Sequence, residues 1–209
     1  MTSPRVLDRR WWAYALIAAA VCYLTWVFDE AVNPALDPLR SYVSEYAADD
    51  QPGAWFFRIG DVLTGTLAGA AAVMFAKRAS DIVVKAAWWS VVVFGVATLL
   101  DAGPFTLTCA PSIDATCRAA EQAGTLPVPD QVHSVASVLS AAAILVAAFG
   151  FAVTSRAPLM WGLAVLLALA TAATLIAVLG DTDVGVVQRL QLLLTSVWLT
   201  ALGWRWRTS

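Results

Sequence analysis

The fold class this sequence predicts is all-α: a polytopic membrane bundle of six transmembrane helices with both termini cytoplasmic. Three observations predict it. The 209 residues are 60% hydrophobic, against about 45–50% in a soluble domain, and mean hydropathy is +0.72. Six apolar runs are each long enough to cross a bilayer. The basic residues gather on alternate connections, as the positive-inside rule requires of cytoplasmic segments. We read one integral-membrane domain, 1–209, with spans near 11–28, 54–76, 84–100, 133–154, 158–179 and 184–204. The outer loops are 29–53, 101–132 and 180–183.

Arg5, Arg9 and Arg10 precede the first run, which is long for a signal peptide and is read as an uncleaved span. Asp29 and Glu30 end it, and a loop of acids and turn formers follows. The second span carries Arg58 and Asp61 inside an apolar run. Charges at membrane depth cost roughly 2.5–3.5 kcal/mol each on insertion scales and usually face a bundle interior. Three residues apart, the two share a helix face and are expected to pair. Gly65 and Gly69 continue that face as a small-xxx-small seam. Lys77, Arg78 and Lys85 flank the hairpin to the third span, where Trp88 and Trp89 are expected at an interface level, and Asp101 closes it. A long loop with Cys109 and Cys117 leads to His133, which opens the fourth span. Such a loop is functional or disordered in most compact bundles. Arg156 separates the fourth and fifth spans, Gly180-Asp181 the fifth and sixth, and Trp204 and Trp206 fall where an aromatic belt belongs.

With the termini and the second and fourth connections inside, that side holds Arg5, Arg9, Arg10, Lys77, Arg78, Lys85, Arg156, Arg205 and Arg207. Only Arg40, Arg58, Arg118 and Arg189, of 13 Lys and Arg in all, lie outside. The reading is a multi-pass protein of the cell membrane whose first partner is the lipid bilayer. A pI near 5.2 and no basic run exclude nucleic acid as a partner. Lys77 and Lys85 sit near the inner face, so no mid-span lysine exists for a retinal Schiff base. No internal repeat supports an inverted-repeat transporter.

Polar landmarks collect at the outer end, and helical spacing carries several of them inward. The stripes are Cys22, Thr25 and Asp29 in the first span, then Ser90, Phe94, Thr98 and Asp101 in the third. They continue as His133, Ser137 and Ser140 in the fourth, Thr171, Thr174 and Asp181 in the fifth, and Gln188, Gln191 and Thr195 in the sixth. Any one stripe is explained by helix packing; several ending in ionisable groups at one level point to a polar outward-facing cavity. The candidate catalytic residues are His133 as acid/base with Asp61 and Asp101 as orienter or ligand. Arg58 and Arg189 are candidates for a substrate phosphate, and Ser44 and Gln188 for ligand contact. No cofactor is expected. A zinc ion on His133, Asp61 and Asp101 is allowed by ligand type, although sets rich in His or Cys are commoner. Cys109 and Cys117, on the oxidising side, read as a disulfide. Without Cys-x-x-Cys a thiol-oxidase role is disfavoured.

Ser44-Glu45-Tyr46-Ala47, Phe57-Arg58-Ile59-Gly60-Asp61, Asp101, His133 and Val187-Gln188-Arg189-Leu190 together resemble a bacterial six-span membrane family known as domain of unknown function 998. The resemblance covers nearly the whole chain and implies the six-span fold but no activity. The set Ser44, Asp61 and His133 is similar in kind to membrane hydrolases of the alkaline-ceramidase type, whose further histidines this sequence lacks. Three functions are therefore compared: a protein that binds or moves a lipid or small solute in an outward cavity, an intramembrane hydrolase or transferase acting on a lipid head group, and a structural membrane protein.

Overall fold

The computed structural model describes residues 4–180 and 182–207, with side chains from residue 10 onward. Eight α-helices run in chain order: α1 Pro4–Cys22, α2 Asp29–Val32, α3 Ala54–Ala76, α4 Ile82–Ala102, α5 Ala115–Gln122, α6 Val128–Ser155, α7 Pro158–Leu179 and α8 Gly185–Trp206. No strand occurs among the described residues, and six passages are long and apolar enough to span a membrane. The second and fifth spans coincide with α3 and α7, and the others differ at their ends.

The first span is not one continuous helix. α1 stops at Cys22, a 3-10 turn covers Thr25–Phe28, and α2 completes the passage to Val32. Hydropathy does not register this break, because Thr25-Trp26-Val27-Phe28 stays apolar. Non-helical backbone at membrane depth is tolerated where it is buried in protein or lines a cavity. α6 starts at Val128 rather than at His133: Pro129 sits in its first turn and Asp130 follows it. A first-turn proline gives up only an N–H that has no helical partner, and an early acid suits the helix dipole. The 101–132 loop is ordered: it carries α5, N-capped by Asp114, which accepts from the N–H groups of Thr116 and Cys117.

The spans form a closed ring in chain order. α1 packs on α3, α3 on α4, α4 on α6, α6 on α7, α7 on α8, and α8 returns to α1. Glycines set two of these seams. The expected small-residue seam is between α3 and α4: a Cβ at Gly95 would lie 3.0 Å from the Cα of Gly69 and 3.1 Å from its N. At the α8–α1 closure, a Cβ at Gly203 would lie 2.7 Å from the carbonyl oxygen of Ala13. In lipid, helix association rests on such close packing, because lipid tails are as apolar as the helix surfaces.

The end of the ring near Lys77, Arg78 and Lys85 is filled by an aromatic plug of Phe75, Trp88, Phe151, Trp198 and Trp206. Trp88 is fully buried there, so it is not an interface residue as expected; Trp89, 47% exposed, takes the lipid side. Trp206 also turns inward, against Phe75 and Trp88. Trp204 stays exposed, with the Arg207 guanidinium over its ring. At the opposite end the centre of the ring is polar.

Candidate functional site

One cavity of about 120 Å³ occupies that polar end, and every one of the six spans contributes to it. The broken first span supplies Tyr23, Thr25 and Trp26, and the turn after it supplies Ser44. α3 gives Phe57 and Asp61; α4 gives Phe94, Thr98 and Asp101. α6 gives His133, Ser137 and Ser140, α7 gives Thr171, and α8 gives Gln188, Gln191 and Thr195. Strict antiparallel order explains the convergence: the first turns of α3, α6 and α8 and the last turns of α4 and α7 lie at the same end.

Asp101 and His133 face each other, Oδ1 to Nδ1, at 3.5 Å. This is ion-pairing reach, but neither atom makes a hydrogen bond. The Ser137 hydroxyl donates to the other carboxylate oxygen of Asp101 at 3.0 Å. Gln191 donates to the Thr171 hydroxyl at 3.1 Å. Thr98 and Thr195 donate to carbonyls one turn back in their own helices, so those hydroxyls offer the cavity only acceptor capacity. No Lys or Arg is among the described residues that line the cavity.

The Arg58–Asp61 pair does not form. Arg58 donates from Nε to the Ala47 carbonyl and from Nη2 to Asp49, both at 2.7 Å, while Asp61 faces the cavity. Helical side chains lean toward the N-terminus. From the second turn of α3 the long Arg58 chain therefore reaches the loop above it, where a carbonyl and an acid await it. Arg189 is likewise engaged: it pairs with Asp29 and donates to the carbonyls of Pro38, Ser41 and Gly185, with Tyr46 under its guanidinium. Neither arginine lines the cavity as a phosphate ligand would. Gln188 does line it, and its Oε1 accepts from the N–H of Val43 at 2.7 Å. Ser90, Thr174, Cys22 and Asp29 of the expected stripes lie away from the cavity, and Asp181 lies outside the described residues. Among the described residues no three His, Cys, Asp or Glu side chains form a metal-holding group. Asp61, Asp101 and His133 thus share a wall without making the set considered for zinc.

A laced cap covers this end. Asp49 N–H donates to Leu107 O at 2.8 Å and Thr106 to Ala47 O at 2.9 Å, tying the two long loops together. Thr108 donates twice to the buried Asp130 of α6, at 2.9 Å each. Cys109 and Cys117 are bonded as a disulfide, and Cys22 is free. Non-reducing alkylation followed by intact-mass measurement should therefore block Cys22 alone. Replacing Cys109 and Cys117 by Ser should cost about 2–3 kcal/mol for so short a loop, read as a lower detergent melting temperature. Alkylation at all three cysteines would contradict this.

Glu45 is the cap residue that sequence reasoning passed over, although it stands in the quoted Ser44–Ala47 motif. It is fully buried, accepts from the hydroxyl and N–H of Ser112, and closes a box with Tyr42. Burial pushes its carboxyl up from 4.5 to about 7, against hydrogen bonds that favour the charged form. The unfolded chain releases this proton near 4.5 and the folded one near 7. Between those values the folded state holds more protons, so stability falls as pH rises, by up to about 3 kcal/mol. Melting at pH 5 and pH 8 should show that loss in the wild type and a flatter response in Glu45→Gln, which keeps the side chain's size and one acceptor oxygen without titrating. An unchanged slope in Glu45→Gln would assign the effect elsewhere.

Tyr23 and Trp26 were also missed, since only the break in the first span turns them inward. A family model described as a protein of unknown function, DUF998, matches residues 16–205. No curated protein and no solved structure matches the chain.

Proposed function

We propose that this chain, which belongs to the DUF998 family of proteins of unknown function, binds or moves a small polar solute in a cavity at the end of the ring opposite its termini, reached from that side between the capping loops. The observation that carries the reading is the convergence of polar side chains from all six spans on one cavity. Ser and Thr within membrane helices commonly bond their own backbone, and Thr98 and Thr195 do so. That habit does not account for Asp61, Asp101 and His133 at one level, where ionisable groups mark a pathway or site by default. Size favours a solute over a whole lipid: a cavity near 150 Å³ accepts a molecule of benzene's size, and this one is about 120 Å³. The head-group hydrolase reading loses its phosphate ligands, because Arg58 and Arg189 are bound elsewhere. The outward direction rests on the positive-inside distribution of Lys and Arg.

The test is accessibility in a Cys22→Ala background in sealed vesicles. A membrane-impermeant thiol reagent on the outer side should modify Ser137→Cys in the cavity and leave Ser80→Cys untouched. A protected Ser137→Cys would reject an open cavity, and an outer-labelled Ser80→Cys would reject the orientation.

A further inference from the structure

We infer that the solute carries an ammonium group, and that Asp61 and Asp101 receive it. The inference rests on the cavity reading above and names the class of molecule. Two carboxylates line the wall, and no Lys or Arg among the described residues joins them. With both carboxyls ionised, the wall keeps a net negative charge even if His133 is protonated. Uncompensated carboxylates are costly away from water, and an ammonium ligand supplies the missing charge from outside the chain.

A second observation points the same way. His133 is 8% exposed and faces the cavity with Nδ1 lacking a hydrogen bond, as does Oδ1 of Asp101. Asp61 lines the same wall. Acceptor atoms of Asp101 and His133 are left open here, as is the Trp26 Nε1–H, and an ammonium N–H can donate to such acceptors. The apolar part of the wall is aromatic: Tyr23 and Phe94 meet edge to face at 5.7 Å, with Trp26 and Phe57 beside them. Aromatic faces attract a desolvated cation through the ring quadrupole. Among the described residues, Asp61, Asp101 and His133 do not gather into a three-ligand metal group. By comparison with a benzene-sized cavity, the volume suits about six non-hydrogen atoms. The Ser137 and Gln191 side chains suit a hydroxyl or similar group at the other end of such a molecule.

The chemistry is shared by a free small amine and by the amine head group of a phospholipid, and the experiment separates them. Purified protein in nanodiscs of phosphatidylglycerol is titrated calorimetrically with ethanolamine, glycerol and sodium acetate. Ethanolamine should bind at least 10-fold tighter than the other two, and Asp61→Asn and Asp101→Asn should each weaken it at least 10-fold. In the wild type, ethanolamine should also protect Asp61 and Asp101 from a hydrophobic carbodiimide, mapped by peptide mass. That arm decides the matter if the variants fail to fold. Discs of phosphatidylethanolamine that abolish the ethanolamine heat assign the site to the lipid head group; an unchanged heat assigns it to the free amine. Glycerol or acetate binding as well as ethanolamine overturns the ammonium class and leaves the small-solute reading intact. No binding by any probe, with no protection, overturns both. Undiminished ethanolamine binding in both variants, or binding without protection at either carboxylate, overturns the assignment to Asp61 and Asp101.

Discussion

Arg189→Ala should lower stability by roughly 3–5 kcal/mol, the range for removing one partner of a buried ion pair. The Asp29 side chain is 8% exposed and that of Arg189 12%, so the stranded carboxylate cannot recover its hydration. The arginine also donates to the carbonyls of Pro38, Ser41 and Gly185, and those acceptors lose their donor in the same step. A series separates the two roles. Asp29→Asn should cost less, because the guanidinium keeps three carbonyl partners. Arg189→Lys should fall between wild type and Ala: the charge survives, but one ammonium cannot reproduce a planar fork spread over several acceptors. Asp29→Leu with Arg189→Leu should recover only part of the loss, unlike an isolated buried pair, because the loop carbonyls stay unsatisfied. Detergent melting of all four reads the result. Arg189→Lys equal to wild type, or full recovery by the double leucine variant, would show that Arg189 is a simple counter-charge and not the peg that holds the 33–47 loop on α8.

That peg sits at residues the sequence marks, yet its partners are not legible there. Arg189 and Asp29 are 160 positions apart, and only the ring closure of α8 on α1 and α2 brings them together. Hydropathy located the six spans because a bilayer imposes length and apolarity on each one separately. The level of Asp61, Asp101 and His133 was legible for a related reason: antiparallel spans alternate direction, so residues near the start of one and the end of the next meet. Partner choice was not legible. Spacing put Arg58 and Asp61 on one face, and the Ala47 carbonyl and Asp49 took the arginine because a long side chain reaches toward its helix N-terminus. Nor was the inward turn of Tyr23 and Trp26, since a break between α1 and α2 that stays apolar leaves no trace in composition. Trp88 illustrates the same limit from the other direction: a tryptophan near a span end fits an aromatic belt and fits a packed interior equally well.

Trp88→Ala should cost about 3 kcal/mol or more, and the size of the loss bears on what holds a membrane core together. Trp88 is fully buried, stacked on Phe75 with ring centroids 4.7 Å apart, and edge-on to Phe151 at 4.8 Å and Trp206 at 5.2 Å. In a water-soluble core, truncation of a large aromatic side chain costs about 3–5 kcal/mol, as lost transfer energy plus a cavity term. Within a bilayer the transfer part shrinks, since the unfolded helices already lie in lipid. The dispersion contacts and the void remain, and each aromatic pair adds about 0.5–1.5 kcal/mol of its own. The expected value therefore sits at the lower end of the soluble range. Trp88→Phe should cost well under half as much: it keeps a ring in the plug, and the Nε1–H it removes has no hydrogen-bond partner. The plug closes the end of the ring opposite the cavity, so Trp88→Ala should also let Ser137→Cys react with thiol reagent applied on the basic side. Melting and labelling of the two variants decide this together. A Trp88→Ala protein that melts like wild type, or a Trp88→Phe protein as damaged as the alanine, would remove the plug from the account of how the ring is sealed.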